Sequence, residues 1–398
     1  MITSDITSQL TEKFADIENS LLKRYDEQES LGLMSGKAGI AIFFSYLKKH
    51  TGSSRYDEVI EKCLIDSLEM ENHRMITYCT GLTGALWAAE LLKKNKILEL
   101  DENMKDVYSE IASTISFQLQ NGNIDFLHGA IGNMFALLDM DPECFNIHEN
   151  EFLRLLKTLG EENEYQIKWK VPTWITMEKS TLMYNSSLSH GSSSIIILLA
   201  EILNANRDSK LAEELLVKAC NYILSTKNTG TENGFIFPSI MSPDGEVNSE
   251  SSRKLAWCYG DFGIGLALYK AGIILKDEKF EREGLETLVY CSHLRTNDQI
   301  NDACICHGSA GLAIGFKTLF ERTGINDFDV SAHYWLEQTI AYAENEVPDC
   351  AGYQFYNGIT KKFQPVYTML EGLTGVGLTM LSFMSEEKFG WERCFLIR

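Results

Sequence analysis

Three of the eight histidines in this 398-residue chain, His128, His190 and His307, stand immediately before a glycine that is followed by small residues and an apolar run. Two cysteines keep similar company: Cys258 precedes Tyr259-Gly260, and Cys306 precedes His307-Gly308. Two thiolates and one imidazole are a favourable set for Zn²⁺, and three protein ligands leave a fourth position open, the arrangement of catalytic rather than structural zinc. Spacing alone is weak evidence, because there is no Cys-x-x-Cys pair and 48 residues separate Cys258 from Cys306. Both cysteines could equally be buried core thiols, and Cys304 could replace Cys306 as the ligand. His190 suits an acid or base facing such a metal, and Asp125, four residues before Gly129, could orient or charge-balance a neighbouring imidazole. His128 fits a hydrogen-bonded structural histidine as well as a direct role.

The elements that must position these residues form a repeat. The pattern is a small or polar residue, then Gly-x-x-Gly or a near match, then an apolar run, and it occurs seven times. The copies are Gly36-Lys-Ala-Gly39, Gly81-Leu-Thr-Gly84, Gly129-Ala-Ile-Gly132, Gly191-Ser-Ser-Ser194, Gly260-Asp-Phe-Gly263, Gly308-Ser-Ala-Gly311 and Gly372-Leu-Thr-Gly375. Steps of 45 to 69 residues leave room for two helices and their loops in each copy. Residues 85–92 and 266–272 read as buried helical runs, and the amphipathic stretches 56–69 and 209–225 read as their outer partners. Any one glycine pair is explained by helix packing, but seven in register are not. Helix pairs that cannot bury their own faces must stack. The expectation is all-α: a double-layered α/α toroid of about seven helix-pair repeats, with short β-containing loops.

In a closed ring the residue before each first glycine occupies equivalent space, which gathers Ser35, Thr80, His128, His190, Tyr259, His307 and Glu371 around one pocket. Strand-like content is expected in two long connections, residues 164–171 and 234–238, the latter followed by a Pro243-Asp-Gly245 turn. No Ser/Gly/Pro-rich linker divides the chain, so residues 1–398 read as a single domain.

Composition narrows the partners. The chain carries 36 basic and 56 acidic residues, a formal charge of −20, which disfavours nucleic acid and anionic lipid and suits a basic or neutral peptide. The polar N-terminus has no signal-peptide core, and the longest apolar run, residues 195–203, is too short to span a bilayer. A cytoplasmic protein with no membrane span is expected, its ten cysteines mostly reduced.

Trp257-Cys258-Tyr259-Gly260 and Cys306-His307-Gly308, with Ser189-His190-Gly191 upstream and Gly-x-x-Gly repeats throughout, resemble the lanthipeptide cyclase (LanC-like) family over essentially the whole chain. The resemblance implies one Zn²⁺ held by Cys258, Cys306 and His307, with Asp125 and His190 as acid/base residues. It also implies a basic residue shortly before the tryptophan, a role open to Arg253 or Lys254, and Tyr259 joins these as a catalytic candidate at the head of its turn. The implied activity adds a peptide cysteine thiol to dehydroalanine or dehydrobutyrine, giving a thioether ring. A chain of this length leaves no space for a dehydratase domain, so the substrate would be a precursor peptide dehydrated by a separate enzyme. Glutathione transfer on the same zinc and a non-catalytic, zinc-containing peptide scaffold are the two alternatives.

Overall fold

The computed structural model describes residues 4–69, 75–98, 105–176, 179–230, 234–295, 300–344, 347–358 and 360–398. Fifteen α-helices and seven short strands are present among them. They divide into two compact units, one made of Met1–Asp101 with Arg295–Arg398 and the other of Glu102–Leu294.

Seven of the helices begin one residue after the first glycine of a repeat: Lys37–Thr51, Leu82–Lys94, Ala130–Met140, Ser192–Ala205, Asp261–Leu275, Ser309–Thr323 and Leu373–Met384. None has a side-chain cap at its glycine. In five of them the first helical N–H instead donates to the carbonyl of the residue six before the glycine: Lys37 to Ser30 (2.9 Å), Leu82 to Met75 (3.3 Å), Ala130 to Asn123 (3.1 Å), Ser309 to Asp302 (3.1 Å) and Leu373 to Val366 (2.9 Å). The preceding loop therefore folds back over the helix start and satisfies a donor that would otherwise be orphaned. That approach explains the small residues: a Cβ at Gly311 would lie 2.0 Å from the Ile305 carbonyl oxygen. Gly260 is restricted twice, by a φ of +93° and by the Lys254 carbonyl oxygen 1.6 Å from a would-be Cβ.

These seven helices are the buried layer. Ser192–Ala205 is buried continuously from Ser192 to Leu203, and its Glu201 pairs with Lys270. Each fully buried Ile or Leu here contributes about 1.5–3 kcal/mol. Their partners are amphipathic, and two of them begin at a side-chain cap. Asp141 caps Pro142–Leu159 by accepting from Glu143 and Cys144, and Asp277 caps Glu278–His293 by accepting from Lys279 and Phe280. The amphipathic stretches read from the sequence are the helices Asp57–Leu68 and Lys210–Ser225. No described helix is long and apolar enough to cross a membrane.

Within the first unit, main-chain bonds join the turns in series: Cys306 N–H to Leu370 O (3.0 Å), Leu370 N–H to Met34 O (2.8 Å) and Met34 N–H to Cys79 O (3.0 Å). The seventh repeat is thus bonded directly to the first. Within the second unit, Leu188 N–H and Ser189 N–H donate to Cys258 O at 3.2 and 3.5 Å, joining the fourth turn to the fifth.

The strands depart in detail from the sequence expectation. Lys170–Thr176 and Lys179–Asn185 form an antiparallel hairpin extended by Ile240–Met241, well beyond the expected end at Val171. Residues 234–238 are not a strand, because their amides are taken by a side chain: Ile236 N–H and Phe237 N–H donate to the Asp261 carboxylate at 2.7 and 2.8 Å. The turn after Pro243 is present, with Gly245 at φ +89°. A second hairpin, Phe355–Asn357 with Lys362–Gln364, was not expected.

Candidate active site

The repeat frame carries its own side-chain bonds. The residue four before the first glycine accepts the N–H of the residue just before it: His128 N–H to Asp125 Oδ1 (2.7 Å), His190 N–H to Ser187 Oγ (3.2 Å) and His307 N–H to Cys304 Sγ (3.4 Å). The residue six before the glycine makes an Asx turn where it is Asn or Asp. Asn123 accepts from Asp125 N–H at 3.4 Å, Asn185 from Ser187 N–H at 2.9 Å, and Asp302 from Cys304 N–H at 2.9 Å. Each histidine is therefore held at its backbone by a rigid local loop, independently of what its ring does.

In the second unit, Asp125 and His190 meet. Asp125 Oδ2 lies 2.6 Å from His190 Nδ1, joining the third and fourth turns. Burial works to raise Asp125, but the hydrogen bond and charge of His190 outweigh it and leave the carboxyl below its ordinary range. Burial likewise works to lower His190, and the Asp125 hydrogen bond and charge leave it raised. The pair lines a cavity of about 530 Å³ together with Asn123, His128, Thr173, Asn185, Asn248 and Tyr259. His128 faces the same cavity, where desolvation lowers it against the pull of Asp125.

Tyr259 sets its ring 6.2 Å from that of His190, and Lys254 Nζ stands 5.7 Å from the Tyr259 ring centre. Arg253 runs its methylenes beside Gly234, and Lys254 is a basic residue that stacks on a cavity-lining side chain. The Cys258 carbonyl is pinned by three donors of the fourth turn, the two amides above and Ser189 Oγ at 3.3 Å.

Cys306 and His307 are in the first unit. Cys306 is partly exposed, and its sulfur, a His307 ring nitrogen and a Glu371 carboxylate oxygen lie within 4.8 Å of one another. Cys304 is fully buried, and burial pushes its thiol up to about 12. Its sulfur is occupied as the cap for His307 N–H, so it fills the place that Asp125 and Ser187 fill in their repeats.

The sequence reading missed Asp302. It is fully buried, its Oδ1 accepts from Cys304 and its Oδ2 from Tyr356 N–H at 2.8 Å. His307 Nε2 lies 3.4 Å from Oδ2, is buried, and completes no hydrogen bond. The Cys304 sulfur and the Asp302 carboxylate push His307 above its ordinary value. Because the Cys304 thiol is held neutral, the carboxylate is the charge responsible at neutral pH. The signal that could have found Asp302 is its fixed offset, six before the glycine, shared with Asn123 and Asn185.

The donors fit a zinc ion. Cys306 offers a soft sulfur, and His307 offers a ring whose buried Nε2 faces a carboxylate, the usual surroundings of a metal-bound imidazole.

The model of the lanthionine synthetase C-like protein family matches residues 27–396. The nisin biosynthesis protein NisC of Lactococcus lactis subsp. lactis is 24% identical over 363 residues, covering 83% of each chain. The glutathione S-transferase LANCL1 of Danio rerio is 24% identical over 342 residues, covering 80% of this chain and 76% of that protein. Among solved structures, nisin cyclase aligns with a TM-score of 0.77 at 18% identity over 99% of this chain and 98% of its own. That likeness shows the fold class expected from the repeats, an all-α, double-layered α/α toroid. With a family model spanning nearly all of it, and the repeat, its turns and the Cys306-His307-Gly308 motif in place, the chain belongs to the lanthionine synthetase C-like family.

Proposed function

We propose that this chain is a cytoplasmic, zinc-dependent peptide cyclase that adds a peptide cysteine thiol to a dehydroalanine or dehydrobutyrine of the same peptide, forming a (methyl)lanthionine ring. The observation that carries the reading is the Asp125–His190 pair at 2.6 Å on the wall of a 530 Å³ cavity. The family and the nisin cyclase relatives support the peptide as substrate. The proposed metal ligands are Cys258, Cys306 and His307.

A bound zinc would supply a positioned thiolate at neutral pH, since thiolate is the nucleophilic form. Addition of that sulfur to the alkene β-carbon leaves an enolate whose α-carbon needs a proton. His190 is built to deliver it. Asp125 takes the Nδ1 proton as acceptor, which fixes the ring and raises its basicity, so Nε2 is the nitrogen left to hold a proton toward the cavity. Asp125, lowered by the hydrogen bond and charge of His190 against its burial, is ionised at neutral pH. Lys254, stacked over the cavity-lining Tyr259, would add positive charge to that wall, which favours a developing enolate.

The test is a dehydrated peptide carrying free cysteine. Ring closure consumes thiol at constant mass, because addition across an alkene is an isomerisation. The same peptide before dehydration, with ATP and Mg²⁺, should be unchanged, leaving dehydration to a separate enzyme. Constant thiol titre with the dehydrated peptide, or faster consumption of glutathione with a free dehydroamino acid, would overturn the peptide-cyclase reading.

A further inference from the structure

We infer that Asp302 is the positioning residue of the metal centre: it holds the His307 ring through Nε2 and so leaves Nδ1 as the nitrogen that ligates. The inference rests on the zinc reading above and adds a residue to it.

The repeat itself supplies the control. Asn123 and Asn185 occupy the same place, six before the glycine, and make the same turn with one amide oxygen. A neutral Asn therefore suffices for the loop. In the sixth repeat the residue is a carboxylate with no exposed surface, an expensive place for a charge unless both oxygens are used. Oδ1 does the work that Asn does elsewhere, accepting from Cys304 N–H at 2.9 Å. Oδ2 accepts from Tyr356 N–H at 2.8 Å and faces His307 Nε2 at 3.4 Å. An Asn in either flip would set an NH₂ against a backbone N–H. The second observation is independent: His307 Nε2 is buried, has no completed hydrogen bond, and has this carboxylate as its polar neighbour. A ligating histidine that gives its other N–H to a carboxylate has its tautomer and ring angle fixed before the metal arrives.

The decisive measurements are made on the full-length chain. In zinc-loaded wild type, where only one ring nitrogen can carry a proton, ¹⁵N-histidine NMR should place the His307 proton on Nε2. Asp302→Asn should shift the signal of that nitrogen and weaken Zn²⁺ binding about 10- to 100-fold in competition with a chelator. A residue needed only for the turn would change the melting temperature but neither of these. A wild-type proton on Nδ1, or unchanged zinc affinity in folded Asp302→Asn, overturns the inference. So does total loss of zinc with altered Co²⁺ absorption, which would make Asp302 a ligand. If the variant does not fold, the wild-type tautomer still decides. Failure of the underlying zinc reading shows separately, as wild-type chain that takes up no zinc.

Discussion

His190 and His307 hold the same place in their repeats, and each has its N–H capped from three residues earlier, by Ser187 Oγ and by Cys304 Sγ. Each ring also faces a carboxylate. For His190 that carboxylate is Asp125, contributed by the preceding repeat; both side chains are part-exposed, at 33% and 23%, and the pair opens on a cavity. For His307 it is Asp302, from the same loop and 0% exposed, tied by two backbone amides. A carboxylate in contact with a cavity can raise an imidazole that then exchanges its proton with substrate. A fully buried one, already fastened on both oxygens, holds a ring in one pose. One backbone frame thus supports a candidate proton donor in one unit and a candidate metal ligand in the other, the difference lying in where the partner acid comes from and how much water it meets.

Removing His307 or Cys306 tests the ligand side of this contrast and should have the largest effect. Alanine at either position should drop zinc from one per chain to near none and abolish cyclisation, while circular dichroism stays helical, because a core of this size does not depend on a metal staple. Full zinc content in Cys306→Ala would reject the assignment.

His190→Ala tests the proton side. Cyclisation should fall on the order of 10²–10⁴-fold with zinc retained. Were zinc lost as well, the two histidines would not have separable roles.

Asp125→Asn sharpens the contrast through pH. His190 is raised above 6.5 chiefly against burial by Asp125, so activity that needs its proton should fall as pH rises through that raised value. The variant should bring this alkaline limb to lower pH and lose about 10- to 100-fold at neutral pH, as for a charge-assisted hydrogen bond. The same pair bears on stability. Its contribution is complete between the ordinary values of 3.8 and 6.5, lost at higher pH through the raised His190 and at lower pH through the lowered Asp125. Denaturant midpoints across pH should show that window in wild type and not in Asp125→Asn; an alkaline limb that does not move would assign the proton to another group.

Asp261 gives the smallest effect and a contrast of opposite sign. Burial raises it to about 6 against two amide hydrogen bonds, so its share of stability increases as pH falls from above 6 toward 3.8. Asp261→Ala should cost about 1–3 kcal/mol by leaving the Ile236 and Phe237 amides unpaired, read as a lower urea midpoint. A midpoint equal to wild type would show that those amides find other partners.

Much of this is legible in the sequence. A glycine at the head of an apolar run, paired with a second three residues on in six of the seven copies, marked all seven buried helices, since a close loop return excludes a Cβ wherever it recurs. Three-and-four spacing marked the outer helices, because one face meets water. The chemistry-bearing residues stood out by their offset from the glycine. The strands did not: residues 234–238 are apolar enough for a strand, but their amides go to Asp261, which is 24 or more residues away in sequence.

The sequence by itself determined the repeat, the helical class and which residue types head each turn, because these follow from local sterics and hydrophobic period. Only the tertiary structure decided which acid meets which histidine. Asp125 caps its own neighbour His128 and also reaches His190, 65 residues on, while Asp302 turns inward to His307. Nothing in the spacing distinguishes those outcomes. They depend on how far each carboxylate is buried and on which amides claim its oxygens, and both are properties of the packed chain.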